Sequence, residues 1–414
     1  MSLLPVTDAL RAVLARVSPL GAERVDLLSA AGRVAAEAVV ATRRLPAWDN
    51  SAMDGYALRA ADAPMPGSSL PVAAAVAAGD AGEQPVALGT AVRIFTGAPI
   101  PPGADTVVLQ EDTETADGRV TVRHAPRPGD NIRRAGSDVE PGQVVLTPGR
   151  PLTPGDLALL AAQGRLSVAV HRPPRVAIVS SGNELVEIDA GEPGRGQIAN
   201  TNAWALAAAV RAAGGEPRIL PILRDDRAAT EAALRDAAGA TDVLITSGGA
   251  SVGDHDHVGP VLKALSGNSL SFWKVAIRPG KPLLFGQIGA THAFGLPGNP
   301  ISALVTFEVF VRPALLRLAG HAACLRRPTT GLTAAALPAG GNRTEYLRAA
   351  VRWDAAGVLH VDAGRSQGSG SLSSLAGADA FIVRAPGSPA AAAGERVEVL
   401  LLGPDEPASR LAAP

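Results

Sequence analysis

The chain has 414 residues, more than one ordinary hydrophobic core organises, so two to four domains are expected. Its 38 Lys and Arg balance 39 Asp and Glu, which excludes nucleic acid as the main partner but leaves room for a local basic pocket. The single cysteine, Cys324, rules out an internal disulfide framework and a multi-cysteine metal site and fits a reducing compartment.

Val6, Leu10, Val13, Leu14 and Val17 recur at helical spacing and predict an amphipathic helix over residues 7–17, stopped by Pro19 and Gly21. Asp8, Arg11 and Arg16 interrupt this stretch too often for a signal peptide. No apolar run reaches the roughly 18 residues of a membrane span. The most apolar late segment, residues 301–318, carries Glu308 and Arg312. A soluble, cytoplasmic protein without a membrane partner is expected.

Residues 27–41 read as a short helix and a strand. The segment 45–57 then packs Trp48, Asp49, Asn50, Ser51, Asp54, Gly55 and Tyr56 into an otherwise aromatic-poor chain. It reads equally well as a loop pinned by Trp48 and Tyr56 or as a rigid base presenting Asp49, Asn50, Ser51 and Asp54. From about 58 to 136, short β-prone runs such as 91–95 and 105–109 alternate with Gly/Pro turns and predict a small β-domain. Arg133 and Arg134 near Asp138 form either a solvated charged loop or an anion contact, because Arg suits phosphate geometry. A helix is expected over 156–163, ended by Gly164.

The pattern changes at Pro173-Pro174, a linker. Beyond it, predicted strands at 175–180, 219–223 and 243–245 alternate with helices at about 201–213, capped by Asn200-Thr201-Asn202, and 227–238. That alternation implies a parallel sheet with right-handed crossovers. Ligands of such sheets bind beyond the carboxyl ends of the strands. Glu184, Asp225 and Asp254 or Asp256 each follow a predicted strand, so the fold would gather them on one rim. Singly such acids are more often N-caps or surface groups; together they suggest a shared cation site, and Mg²⁺ fits oxygen-only ligands.

The strand 243–245 runs into Thr246-Ser247-Gly248-Gly249-Ala250-Ser251-Val252-Gly253-Asp254, a glycine loop whose backbone N–H groups can approach a phosphorylated ligand. Residues 272–282 bring Lys274, Arg278 and Lys281 between apolar runs, an anion site in prospect. At 293–302 a strand turns into a long helix, with Asn299 placed to cap it and Pro300 at its first position, where free N–H groups attract an oxyanion. Beyond about 320, β runs at 345–349, 358–361, 381–383 and 397–400 predict a small barrel or sandwich. The Ser/Gly-rich stretch 364–371 reads as a loop between them.

Asp49-Asn50-Ser51-Ala52-Met53-Asp54-Gly55-Tyr56-Ala57, Thr96-Gly97-Ala98-Pro99, Ser247-Gly248-Gly249 with Ser251-Val252-Gly253, Pro279-Gly280-Lys281-Pro282 and Gly295-Leu296-Pro297-Gly298-Asn299-Pro300 occur in family order and span nearly the whole chain. In these motifs the chain resembles the molybdopterin molybdenumtransferase family, which includes the bacterial MoeA protein and the gephyrin E-domain. The resemblance implies an α/β multidomain fold. A central MogA-like α/β domain with a mostly parallel sheet would span 173–320, with an N-terminal helical and extended domain at 1–45 and 138–172. An inserted small β-domain would occupy 46–137 and a C-terminal β-barrel domain 321–414.

The implied activity is Mg²⁺-dependent insertion of molybdate into adenylylated molybdopterin, giving molybdenum cofactor and AMP. A homodimer with its site near the subunit interface is implied, with a MogA-type adenylyltransferase and molybdoenzyme chaperones as partners. By motif, Asp54, Asp138, Glu184, Asp225 and Asp256 match acids implicated in activity, with Asp256 favoured over Asp254. Glu184, Asp225 and Asp256 would hold the metal. Thr96, Ser247, Gly248, Gly249, Ser251, Gly253, Lys274, Arg278, Lys281, Pro297 and Asn299 would contact the pterin nucleotide. Lys281, Ser302, Arg343 and Ser369 would hold molybdate. Arg278 stands where the family more often has Lys, and Asn183 where many relatives carry Asp. Two rivals are a MogA-type adenylyltransferase, which would lack the 51–56 segment and the C-terminal β-domain, and a gephyrin-like scaffold.

Overall fold

The computed structural model describes residues 3–248, 257–364 and 366–403. The chain divides into two compact units, one formed by Met1–Glu23, Gly149–Pro151 and Ala169–Pro414, the other by Arg24–Pro148 and Leu152–Val168.

The first unit is built on a six-stranded sheet in the order Glu216–Ile219, Arg175–Ser180, Val243–Ser247, Thr291–Leu296, Pro282–Ile288, Ser271–Lys274. The first four strands are parallel and the last two antiparallel, as the alternating pattern leads one to expect of a mostly parallel sheet. Its central strands are continuously apolar because both faces are covered. Val176, Ile178, Val243 and Ile245 pack with Leu206 and Val210 of the helix Thr201–Ala212 and with Val6, Ala9 and Val13 of the helix Val6–Leu14. The alternate residues Ala177, Val179 and Leu244 face Leu234 of the helix Arg227–Ala240 and Val258 and Val261 of the helix Val258–Ser266. Asn200 and Asp226 cap two of these helices, accepting from the N–H groups of Ala203 and Ala229.

One strand lies earlier than expected. The ladder covers Glu216–Ile219, and only a single bridge, Leu223 to Ser181, extends it further. Pro221 has no N–H to continue the ladder. The long helix after Asn299 runs through Pro300–Thr306, a π-helical turn Phe307–Val311 and Arg312–Leu318.

The C-terminal strands Thr329–Thr333, Thr344–Trp353, Leu359–Asp362, Ala380–Arg384 and Arg396–Leu401 form a closed five-stranded barrel. Closure comes from the long strand Thr344–Trp353, which pairs with both Leu359–Asp362 and Ala380–Arg384. Val361, Ala380, Ile382 and Val399 fill its interior. A two-residue strand, Ile277–Arg278, pairs in parallel with the start of that same strand.

The second unit carries a mixed six-stranded sheet in the order Thr106–Leu109, Gly55–Leu58, Ala91–Ile94, Ser69–Val76, Arg119–Val122, Thr113–Ala116. Its helix Pro154–Ala162 starts in a capping box between Thr153 and Asp156, and Gly164 follows at φ +72. Two expectations fail here. Residues 27–38 contain no helix, because Asp26 accepts from the Ser29 N–H and Gly32 sits at φ +74, so the chain makes successive turns before the short strand Val39–Val40. Trp48 does not pin its loop, being 57% exposed. Tyr56 is buried under the Arg93 guanidinium, and Asp49 fastens the loop by accepting from Arg134 and the Ala135 N–H at 2.6 and 2.7 Å. Those bonds, the Ala135 N–H first, hold the Asp49 carboxyl below its usual range. Arg134 is therefore an ion-pair partner rather than an open anion contact.

Candidate functional site

Three parallel strands of the first unit deliver loops to one rim, as the sheet type requires. Arg175–Ser180 leads into residues 181–185, Val243–Ser247 into Gly248, and Thr291–Leu296 into Pro297, Gly298 and Asn299. These loops, residues 278–282 and residues 336–338, 343, 345–348, 363–364 and 367–369 of the barrel region border a cavity of about 1230 Å³. Gly248 is dictated by geometry. Its φ is +87, and a Cβ there would stand 2.7 Å from the Ser181 carbonyl oxygen.

Glu184 and Asp225 both line this cavity and both are exposed. Asn183 joins them: its amide donates to Asp225 Oδ2 at 2.5 Å, and its Oδ1 accepts from the Asp225 N–H at 3.4 Å. Gly182, at φ +152, lies under the Glu184 carboxylate; a Cβ there would come within 2.5 Å of Oε2. Among the described residues no cluster of three or more His, Cys, Asp or Glu side chains is placed to hold a metal. A pair of carboxylates still fits Mg²⁺, which keeps several waters and commonly takes one or two protein carboxylates together with substrate phosphates.

Cations reach the same cavity from the other elements. Lys281 lines it, and its ammonium has no ion-pair partner among the described residues. Arg343 lines it with one long bond to the Ile277 carbonyl, 3.5 Å. Arg278 lines it too, but its Nη1 already donates to Glu345 at 2.9 Å, so its charge is largely balanced. Ser302 and Ser369 border the same space. Asn299 occupies the N-cap position, with Pro300 at N1, yet its side chain makes no capping bond. Its amide donates instead to Ser369 Oγ at 3.1 Å, because the barrel loop competes for it.

The structure thus gathers Glu184, Asp225, Ser247, Gly248, Arg278, Lys281, Pro297, Asn299, Ser302, Arg343 and Ser369 about one cavity. Lys274 is exposed on an edge strand and does not border it. Asp54, Thr96 and Asp138 belong to the second unit. There Asp54 Oδ1 accepts from the Thr96 N–H and hydroxyl, both at 2.7 Å, which holds its carboxyl below the usual range. Asp138 is exposed. Gly249, Ser251, Gly253, Asp254 and Asp256 lie outside the described residues.

Two lining residues escaped the sequence reading. Arg348 is 2% exposed; it donates through Nε to Ser374 and through Nη2 to the carbonyls of Ser366 and Gly368, while its Nη1 is buried with no partner among the described residues. Its signal was alternation: it shares a strand face with buried Tyr346, where a charged residue needs a reason. Asn202 donates to Ser247 Oγ and to the Gly298 carbonyl, both at 2.7 Å, tying two rim loops together. The clue was two asparagines flanking Thr201, of which only Asn200 can cap.

Comparison with known proteins covers most of the chain. Residues 4–164 match the family described as MoeA N-terminal region (domain I and II), 177–317 the probable molybdopterin binding domain, and 330–402 the MoeA C-terminal region (domain IV). A molybdopterin molybdenumtransferase of Haemophilus influenzae is 38% identical, the match covering 92% of this chain and 94% of that protein. One from Nostoc is 39% identical, covering 92% and 88%. The solved molybdopterin biosynthesis moeA protein of Pyrococcus horikoshii superposes with a TM-score of 0.84 at 30% identity, covering 97% of this chain and all of that one.

Proposed function

The chain belongs to the molybdopterin molybdenumtransferase family, and from that premise we propose that it transfers molybdate into adenylylated molybdopterin, forming molybdenum cofactor and releasing AMP. The observation that carries the reading is one cavity lined both by a carboxylate pair from the parallel sheet and by cations from the 278–281 loop and the barrel. A substrate set containing an oxyanion and a phosphoanhydride calls for both kinds of charge.

In this reading Lys281, Arg343, Ser302 and Ser369 hold the molybdate dianion by charge and hydrogen bonding, with buried Arg348 behind them supplying further positive potential. Glu184 and Asp225, with Asp256, would hold Mg²⁺, which when bound neutralises and polarises the phosphoanhydride. The P–O bond to AMP breaks as an oxygen of water or molybdate attacks phosphorus, and AMP leaves with the bridging oxygen. The protein's share is positioning and charge neutralisation, as in other phosphoryl chemistry. Ser247, Gly248, Pro297 and Asn299 line the space for the pterin nucleotide, with Arg278 beside them.

Asp54, Thr96, Asp138 and Lys274 enter the proposal by motif, in a homodimer whose site lies near the subunit interface. The four-domain division and the cytoplasmic location belong to the same reading. Among the described residues no helix is long and apolar enough to cross a membrane. Purified protein given adenylylated molybdopterin, molybdate and Mg²⁺ should yield molybdenum cofactor and AMP in equal amounts. Folded protein that makes neither sinks the assignment, and formation of adenylylated molybdopterin from ATP and molybdopterin would favour the adenylyltransferase instead.

A further inference from the structure

Glu184 and Asp225 both sit on exposed loops, where hydrogen bonds help to fix their places. Backbone N–H groups of Gly182 and Ile198 donate to the Leu223 and Glu184 carbonyls, and Arg224, which does not border the cavity, adds side-chain contacts. Its Nη1 lies 3.4, 3.2 and 2.9 Å from the carbonyl oxygens of Gly182, Asn183 and Leu185, the peptide groups on either side of Glu184. Arg224 also directly precedes Asp225 in the chain. From the other side, Asn183 donates to Asp225 Oδ2 and accepts from the Asp225 N–H. The segment 182–185 and the pair 224–225 therefore close into a ring of hydrogen bonds.

We propose that Arg224, together with Asn183, is a positioning residue that presets the Glu184 and Asp225 carboxylates for one divalent cation. The proposal rests on the transferase reading. Two features give it content beyond loop packing. Arg224 makes no ion pair with either acid among the described residues; its donors go to neutral carbonyls, so its cation is held close without blocking the carboxylate oxygens. Asn183 holds only one Asp225 oxygen, and holds it with a neutral amide, leaving the other open. Outer groups of this kind orient ligands, and their loss typically costs roughly 10–100-fold in metal affinity or activity.

The test compares Arg224→Met, which keeps the stem and loses the donors, with Arg224→Lys, whose single ammonium can face the same three carbonyls that share one nitrogen now. In steady-state assays with full-length protein, Arg224→Met should raise the Mg²⁺ concentration needed for half-maximal rate by roughly 10-fold or more, with the KM for molybdate and the Tm unchanged. Arg224→Lys, or guanidinium added to Arg224→Met, should recover most of the loss. Unchanged Mg²⁺ dependence in Arg224→Met, or Mg²⁺ and molybdate dependences failing together with the Tm, overturns the proposal. If the wild type makes no product, the transferase reading itself fails. Amide hydrogen exchange then decides the brace: faster exchange at 182–185 in Arg224→Met supports it, and unaltered exchange refutes it.

Discussion

Two aspartates at opposite ends of the same sheet behave differently. Asp242 stands just before the strand Val243–Ser247 and is saturated: Arg172 donates to both its oxygens at 2.6 Å, and the Arg175 N–H adds a bond at 2.8 Å. Burial alone would raise its pKa, but these donors override that and bring it down to about 2. Asp225, beyond the carboxyl end of the edge strand Glu216–Ile219, is exposed, holds one amide and keeps an oxygen open. The first acid has both carboxylate oxygens engaged by the protein and is part of the scaffold. The second has capacity left over for a ligand. Vacancy among its hydrogen-bond partners, more than burial or charge, separates a carboxylate open to a ligand from a structural one.

The comparison can be broken at either end. Asp225→Asn should cut turnover roughly 100-fold, as loss of one electrostatic catalytic group does, with the urea midpoint and the molybdate KM hardly moved; a variant with wild-type kcat would make Asp225 another scaffold acid. Asp242→Asn should do the reverse, costing about 2 kcal/mol of stability through its charged hydrogen bonds and leaving kcat intact in what remains folded. The pH sign is fixed by the depressed folded-state pKa. Asp242 contributes stability fully above the ordinary carboxylate range and loses it as pH falls from about 4 to about 2. Urea midpoints followed down that range should decline in the wild type more steeply than in Asp242→Asn.

Smaller effects sharpen the division of labour within the cavity. Lys281→Ala should raise the molybdate KM about 10-fold, the worth of one charged hydrogen bond, with less effect on kcat, the mirror image of Asp225→Asn. Gly182→Ala should lower kcat several-fold at a stability cost of about 1 kcal/mol, because its Cβ displaces the Glu184 carboxylate from a backbone conformation that side chains avoid. Asn299→Ala should matter least: it removes one exposed bond to Ser369, about 0.5 kcal/mol, and a large loss of activity there would mean that Asn299 touches substrate directly.

Much of this was legible in the sequence. The α/β alternation, the Asn200 and Asp226 helix starts and the terminal barrel all follow from local rules, namely period, caps and turn residues, that act over a few residues. Glu184 and Asp225 were found because strand ends in a parallel sheet converge by topology. What the sequence hid depends on distant pairing. Asn299 looked like a cap because nothing local announces Ser369, seventy positions on. Arg278 looked like a free cation because its acid, Glu345, arrives from another part of the chain. Arg348 passed unnoticed because a lone arginine in a strand is ordinarily a solvated edge residue. The stretch 27–41 read as a short helix and a strand, and the quieter turn signal of Asp26 and Gly32 decided against the helix.

The short parallel pairing of Ile277–Arg278 with Thr344 and Glu345 has a mechanical consequence. It splices the loop that bears Lys281 onto the barrel strand that bears Arg348 and is preceded by Arg343, and the Arg278–Glu345 ion pair rivets the splice. Because that loop runs on into the sheet strand Pro282–Ile288, the splice couples the barrel to the sheet whose other strand ends carry Glu184 and Asp225, so the spacing between cations and carboxylates is set by covalent continuity as well as by packing.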